Sequence, residues 1–153
     1  MLPSLTATPT ATAAPVVVPS AARVHDSFGA VAFVRFFYSQ LNQAYAQADP
    51  TALSGLVDPQ CGTCASYQAA AAKFKADGQH VAGVSAEVIS AEAPPEQNGV
   101  VAVDVLFRSP ERAIVENGGT IVQHLPLTPR IHKTVFVVRS TDGWLVRAVR
   151  DAT

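Results

Sequence analysis

The stretch Phe28-Gly29-Ala30-Val31-Ala32-Phe33-Val34-Arg35-Phe36-Phe37-Tyr38 constrains this chain more than any other, because it is apolar almost all round. Its continuation, Ser39 to Gln47, turns amphipathic, and Phe33, Phe37, Leu41 and Ala44/Tyr45 make a stripe of helical spacing. Asp26 or Ser27 can cap the start, where an acidic side chain also suits the positive helix end. The spacing predicts a helix over 27–48. A helix apolar on most sides must be wrapped by protein on most sides, so the rest of the chain has to enclose it.

Two further helices are expected. Asp49-Pro50 reads as a cap followed by a first-turn proline, which predicts a short helix over 50–56 with Leu53 and Leu56 inward. Asp58-Pro59 breaks it. Cys61-Gly62-Thr63-Cys64 opens a third, roughly 62–77, with Tyr67, Ala70, Ala71 and Phe74 on its buried side and Asp77-Gly78 closing it. After Gly78 the period changes from 3.6 to 2. Val81 to Ala91 reads as one strand, and Val100 to Arg108 as another, with Val101, Val103, Val105 and Phe107 on its covered face. Turn residues at Gln97-Asn98-Gly99, Asn117-Gly118-Gly119 and Thr141-Asp142-Gly143 predict three hairpins. Helices first and hairpins after is an α+β order. Asp104 and Arg108 are expected on the wet face of the sheet, joined there by Lys133 and Arg139 from the 131–140 strand.

The residues before the first helix read differently. Met1 to Ala22 holds four prolines, four threonines and six alanines without a charge. Proline at that density opposes helix and sheet alike, so residues 1–25 are expected to be a disordered Pro/Thr/Ala-rich stalk and 26–153 a single domain. Such a stalk suits tethering to a surface, and its composition is that of O-glycosylated segments in exported proteins. It has neither the basic start nor the unbroken apolar run of a signal peptide. The whole chain has a net charge of −1, which gives no bulk field for nucleic acid. That figure conceals an asymmetry. Residues 1–107 carry four basic and eight acidic side chains, and residues 108–153 carry seven basic and four acidic.

Three elements together resemble a known group: Phe28-Gly29-Ala30 through Tyr45-Ala46 followed by Asp49; Asp58-Pro59 with Cys61-Gly62-Thr63-Cys64 and Tyr67; and the last strand after Asp142-Gly143-Trp144. The chain resembles an uncharacterised family of small actinobacterial envelope lipoproteins with a nuclear-transport-factor-2-like (cystatin-like) domain, over roughly residues 26–151. The same superfamily includes ketosteroid isomerases and polyketide cyclases. The resemblance implies a strongly bent antiparallel sheet folded as a cone around the N-terminal helices. It also implies a protein held on the outer face of the cytoplasmic membrane by a lipid anchor. No lipobox cysteine precedes the stalk here, so that anchor is an expectation about a longer precursor.

Cys61 and Cys64 admit several chemistries. Zinc needs four ligands, and His25, His80, His124 and His132 are scattered without paired spacing. Haem attachment needs His after the second Cys, where Ala65 stands. A redox dithiol at a helix start and a structural disulfide in an exported protein remain, and the disulfide is the expected one. Neither metal nor cofactor is expected. No nucleophile–base pair, carboxylate pair or phosphate loop appears, so no catalytic residue is assigned. The cone implies a pocket between sheet and helices, for which Phe33, Phe37, Tyr45, Tyr67, Val103, Phe107 and Trp144 are the candidates. The expectation is therefore a non-enzymatic envelope domain, monomeric or weakly dimeric, that binds a protein partner or a small apolar ligand. Its alternatives are an isomerase- or cyclase-like enzyme and a thiol redox protein. A cavity above roughly 300 Å³ with a polar group at its base would mark a ligand site or active site, whereas an interior filled by aromatic rings would mark a structural module.

Overall fold

A computed structural model describes residues 16–152. Two helices, α1 (Ser27–Ala46) and α2 (Gly62–Asp77), precede and face seven strands: β1 (Gln79–Ala82), β2 (Glu87–Glu92), β3 (Val100–Ser109), β4 (Arg112–Glu116), β5 (Ile121–Leu125), β6 (Thr128–Ser140) and β7 (Gly143–Asp151). All paired strands are antiparallel, in a four-stranded sheet ordered β2-β3-β6-β7 and a three-stranded sheet ordered β1-β4-β5. This is the expected α+β architecture, helices packed in a bent antiparallel sheet. The bend falls where β3 leaves the larger sheet and Pro110-Glu111 carries the chain into β4 of the smaller one. The expected strand Val81 to Ala91 divides at the same place. Gly83, with φ of +115°, turns the chain between β1 in the small sheet and β2 in the large one.

Local chemistry explains the helix ends. Asp26 caps α1, its Oδ1 accepting the Gly29 N–H at 2.8 Å. Asp49 starts the next segment by accepting from the Thr51 N–H and hydroxyl. That segment is a single 3-10 turn, Pro50–Leu53, shorter than the expected 50–56 helix. Gly78 closes α2 in the left-handed conformation. Within α1, Gly29, Ala30, Phe33, Val34, Phe37, Tyr38, Leu41 and Ala44 are buried. Ala30 to Leu41 of this set meet Val101, Val103, Val105 and Phe107 of β3, Val135 and Val137 of β6, and Trp144, Val146 and Val149 of β7, while Ala44 packs with Ala52 and Ala71.

The chain departs from the expected stalk before α1. Residues 1–15 lie outside those described, but Val16 to Asp26 are part of the domain. Val16 and Val18 pack on the core, a 3-10 turn spans Ser20–Arg23, and Ala22 is buried. The Trp144 indole N–H donates to the Val24 carbonyl at 2.9 Å, and the His25 ring meets the Gly143 carbonyl at 2.9 Å. Pro19, the one proline between Val16 and Asp26, fits this role, since it brings no amide donor that a sheet partner would have to satisfy.

A second departure concerns Lys133 and Arg139. They share a face as expected, but the register Val103↔Val135 and Val101↔Val137 puts odd positions of β6 on the covered side. Both therefore sit at the ends of the inner face, where Lys133 pairs with Asp151 and Arg139 with Glu96. Asp104 lies on the outer face and accepts from the Thr134 hydroxyl instead. The outer face keeps Asp104 and Arg108 beside apolar Ala102, Leu106 and Phe136.

Candidate binding cleft

The two sheets diverge on the side of the C-terminal half of α1, and the gap is a cleft of about 210 Å³. Tyr38, Leu41 and Tyr45 of α1 line it, with Tyr67 and Phe74 of α2, Phe107 and Ser109 of β3, Arg112 of β4, Leu125 of β5, and Val81, Ser85 and Ala86 around the β1–β2 turn. Its wall is held by side-chain bonds to the backbone. The Asn42 amide grips Ala86, donating to its carbonyl and accepting its N–H, both at 2.8 Å. The Ser109 hydroxyl donates to the Ser85 carbonyl at 2.7 Å. A larger hollow of about 520 Å³ near Gln47, Lys75 and Asn117 lies open at the surface, bounded mostly by polar residues.

Tyr38 supplies the polar group. Its side chain is buried against Phe37 and Phe107, with ring centroids 5.5 and 5.0 Å away. Its hydroxyl is shielded from solvent and has no hydrogen-bond partner among the described residues. A buried hydroxyl left unpaired costs about 1–3 kcal/mol, so something must compensate for keeping it. Burial, with Tyr67 nearby adding, pushes the Tyr38 hydroxyl well above its ordinary value. The same two causes push Tyr45 up to about 12, and burial raises Tyr67. All three stay protonated near neutral pH and act as donors. Arg112, half-buried at the cleft, donates to the Pro110 carbonyl at 3.2 Å.

The expected pocket residues divide into two groups. Tyr45, Tyr67 and Phe107 line the cleft. Phe33, Phe37, Val103 and Trp144 do not. They are 0–2% exposed and fill the interior between α1 and the large sheet. The expected pocket lies between sheet and helices, but the β3–β6 register closes the layers under the middle of α1. The cleft opens beyond the bend, where the small sheet turns away. Tyr38, Arg112 and Ser109 were not anticipated as lining residues. Tyr38 was legible as a helix residue of the core, but its missing partner is a three-dimensional fact.

The cysteines form the expected disulfide, Cys61–Cys64, at the start of α2. It is 0–2% exposed. It closes the turn after Leu56–Asp58, a segment that adds to the free edge of β7 through Asp58 N–H to Val146 O and Val146 N–H to Leu56 O. Replacing both cysteines by serine is expected to cost about 2 kcal/mol, lowering the melting temperature by roughly 5–10 °C. The wild type melted in reductant should match the variant. An unchanged melt together with lost disulfide-reductase activity would transfer the pair to redox chemistry. Among the described residues, no cluster of His, Cys, Asp and Glu is placed to hold a metal ion. No helix there is long and apolar enough to cross a membrane.

No family model matches the chain, and no curated protein does so significantly. Solved structures do share its fold. The intermembrane-space region of the chloroplast protein ARC6 superposes with a TM-score of 0.58 at 10% identity, over 82% of this chain and 97% of that one. Rv3472(D26N), a protein of unknown function from Mycobacterium tuberculosis, does so with 0.51 at 7% identity, over 82% and 76%. At these identities the likeness establishes the fold alone.

Proposed function

We propose that this is a non-enzymatic binding domain of the cell envelope that takes one small apolar ligand in the cleft beyond the bend. The observation that carries this reading is the cleft itself: a mostly apolar hollow between helices and sheets, with Tyr45, Tyr67 and Arg112 placing a few donors on its wall. At about 210 Å³ the cleft falls short of the roughly 300 Å³ expected of a ligand site, and rings fill the interior under α1 as in a structural module, so only a short chain or a single ring fits. The ionisable lining consists of tyrosines and one arginine. Burial holds the tyrosines protonated near neutral pH, and no carboxylate or histidine lines the cleft to act as a base, which favours binding over isomerase-like chemistry. The sealed disulfide and the Thr/Pro-rich start support an exported, surface-held protein.

The test is a titration with 2-heptanone, a short apolar ketone, followed by NMR. Saturable shifts are expected at Tyr38, Leu41 and Phe107. Tyr38→Phe should raise the stability of the free protein by about 1 kcal/mol, since it removes an unpaired buried hydroxyl, whereas Val81→Phe, which fills the cleft, should weaken binding about tenfold or more. Absence of saturable shifts in the cleft, or equal affinity in Val81→Phe, would overturn the reading.

A further inference from the structure

We infer that the ligand of this cleft is an apolar molecule carrying a single carboxylate, whose charge is received by Arg112; this rests on the cleft being a ligand site.

Five ion pairs form among the described residues, and Arg112 is in none of them. Arg23, Arg35, Arg130 and Arg150 are also without an ion pair there, but they are exposed on the surface, where water solvates the charge. Arg112 is different because it is half-buried and lines an apolar cleft, with one neutral carbonyl as its recorded acceptor. A guanidinium has five donors and binds carboxylates through two parallel bonds. A partly desolvated guanidinium with spare donors lacks a counter-charge, and an incoming anion supplies it. Tyr45 and Tyr67 lie on the same cleft and, being protonated, add donors and no competing negative charge.

Size and charge narrow the class. A volume of about 210 Å³ holds on the order of seven water-sized groups, which suits a chain of six to eight heavy atoms. One arginine balances one negative charge, which favours a carboxylate over a phosphate monoester, with about −1.5 to −2. Leu41, Phe74, Val81 and Phe107 provide the apolar contacts for the rest of the molecule.

Hexanoate, its neutral isostere hexanamide, and hexyl phosphate are the probes, measured by calorimetry on the full chain near neutral pH. Hexanoate is expected to bind at least tenfold tighter than hexanamide, with an affinity that falls as salt rises. Arg112→Gln keeps much of the side-chain stem. It should abolish that preference, so that the two probes bind alike. Equal binding of the two by the wild type, or a preference that survives in the variant, would overturn the carboxylate while leaving the apolar site intact. Tighter binding of hexyl phosphate would overturn the headgroup assignment. If neither hexanoate nor hexanamide binds, the cleft is not a ligand site and both readings fail.

Discussion

Gly29→Ala is expected to destabilise the protein by about 2 kcal/mol or more, although helix propensity predicts a gain of about 1 kcal/mol from the same change. Gly29 lies in the first turn of α1, directly beneath the strap. A methyl group there would sit 1.8 Å from the Val24 carbonyl oxygen and 2.7 Å from its carbon, and both are backbone atoms that no rotamer change can move. The strap has to lift. With it go the Trp144–Val24 hydrogen bond and the His25–Gly143 contact, and buried Ala22 and Val18 are exposed. Trp144 is the sole tryptophan and is 2% exposed, so its fluorescence reports the event directly. A melting temperature lower by roughly 6–10 °C and a red-shifted emission are expected. A rise in melting temperature would show that the strap does not bear on the helix as described.

Phe37→Ala should have the largest effect of any single truncation considered, about 3–5 kcal/mol in denaturant unfolding. Phe37 is fully buried, touches the rings of Tyr38 and Tyr67, and lies between α1 and its covers. Close-packed surroundings collapse only partly into the space left behind. Phe28 belongs to the same apolar run and is the internal control. It is 83% exposed, so Phe28→Ala should stay within about 0.5 kcal/mol of wild type. A loss below about 1 kcal/mol for Phe37→Ala would contradict the packing described for α1.

The contrast between these two phenylalanines shows where sequence patterning stops. The run from Phe28 to Tyr38 announces a helix that must be enclosed, and the i, i+4 stripe picks out Phe33 and Phe37 correctly. Only sparse marks separate Phe28 from them: it falls off that stripe and shares a face with exposed Arg35, seven positions on, the single charge in the run. Trp144 was likewise legible as buried, while its hydrogen-bond partner was not. Val24 is 120 positions away in a segment whose composition reads as unstructured.

The cleft was legible by halves. Tyr45, Tyr67 and Phe107 follow from helix and strand faces that point inward. Arg112 does not, because its meaning depends on the break at Pro110 carrying β4 away from the larger sheet. Lys133 and Arg139 illustrate the same limit. Their common face was readable from a period of two, but which face it was depended on the register with β3. A shift of one residue exchanges the faces.

What the sequence determined by itself was local and periodic: capped helices followed by alternating strands, three hairpin turns, and two cysteines close enough to join. These depend on neighbours within a few positions, where backbone preference and hydrophobic period act directly. Tertiary structure alone decided how the layers close on one another. That closure seats the Val16–Asp26 strap on Gly29 and Trp144, seals the middle of α1, and opens a small cleft beyond the bend. There Tyr38 is left without a partner and Arg112 without a counter-charge. Both conditions are set by long-range register and by volume, which no local pattern encodes.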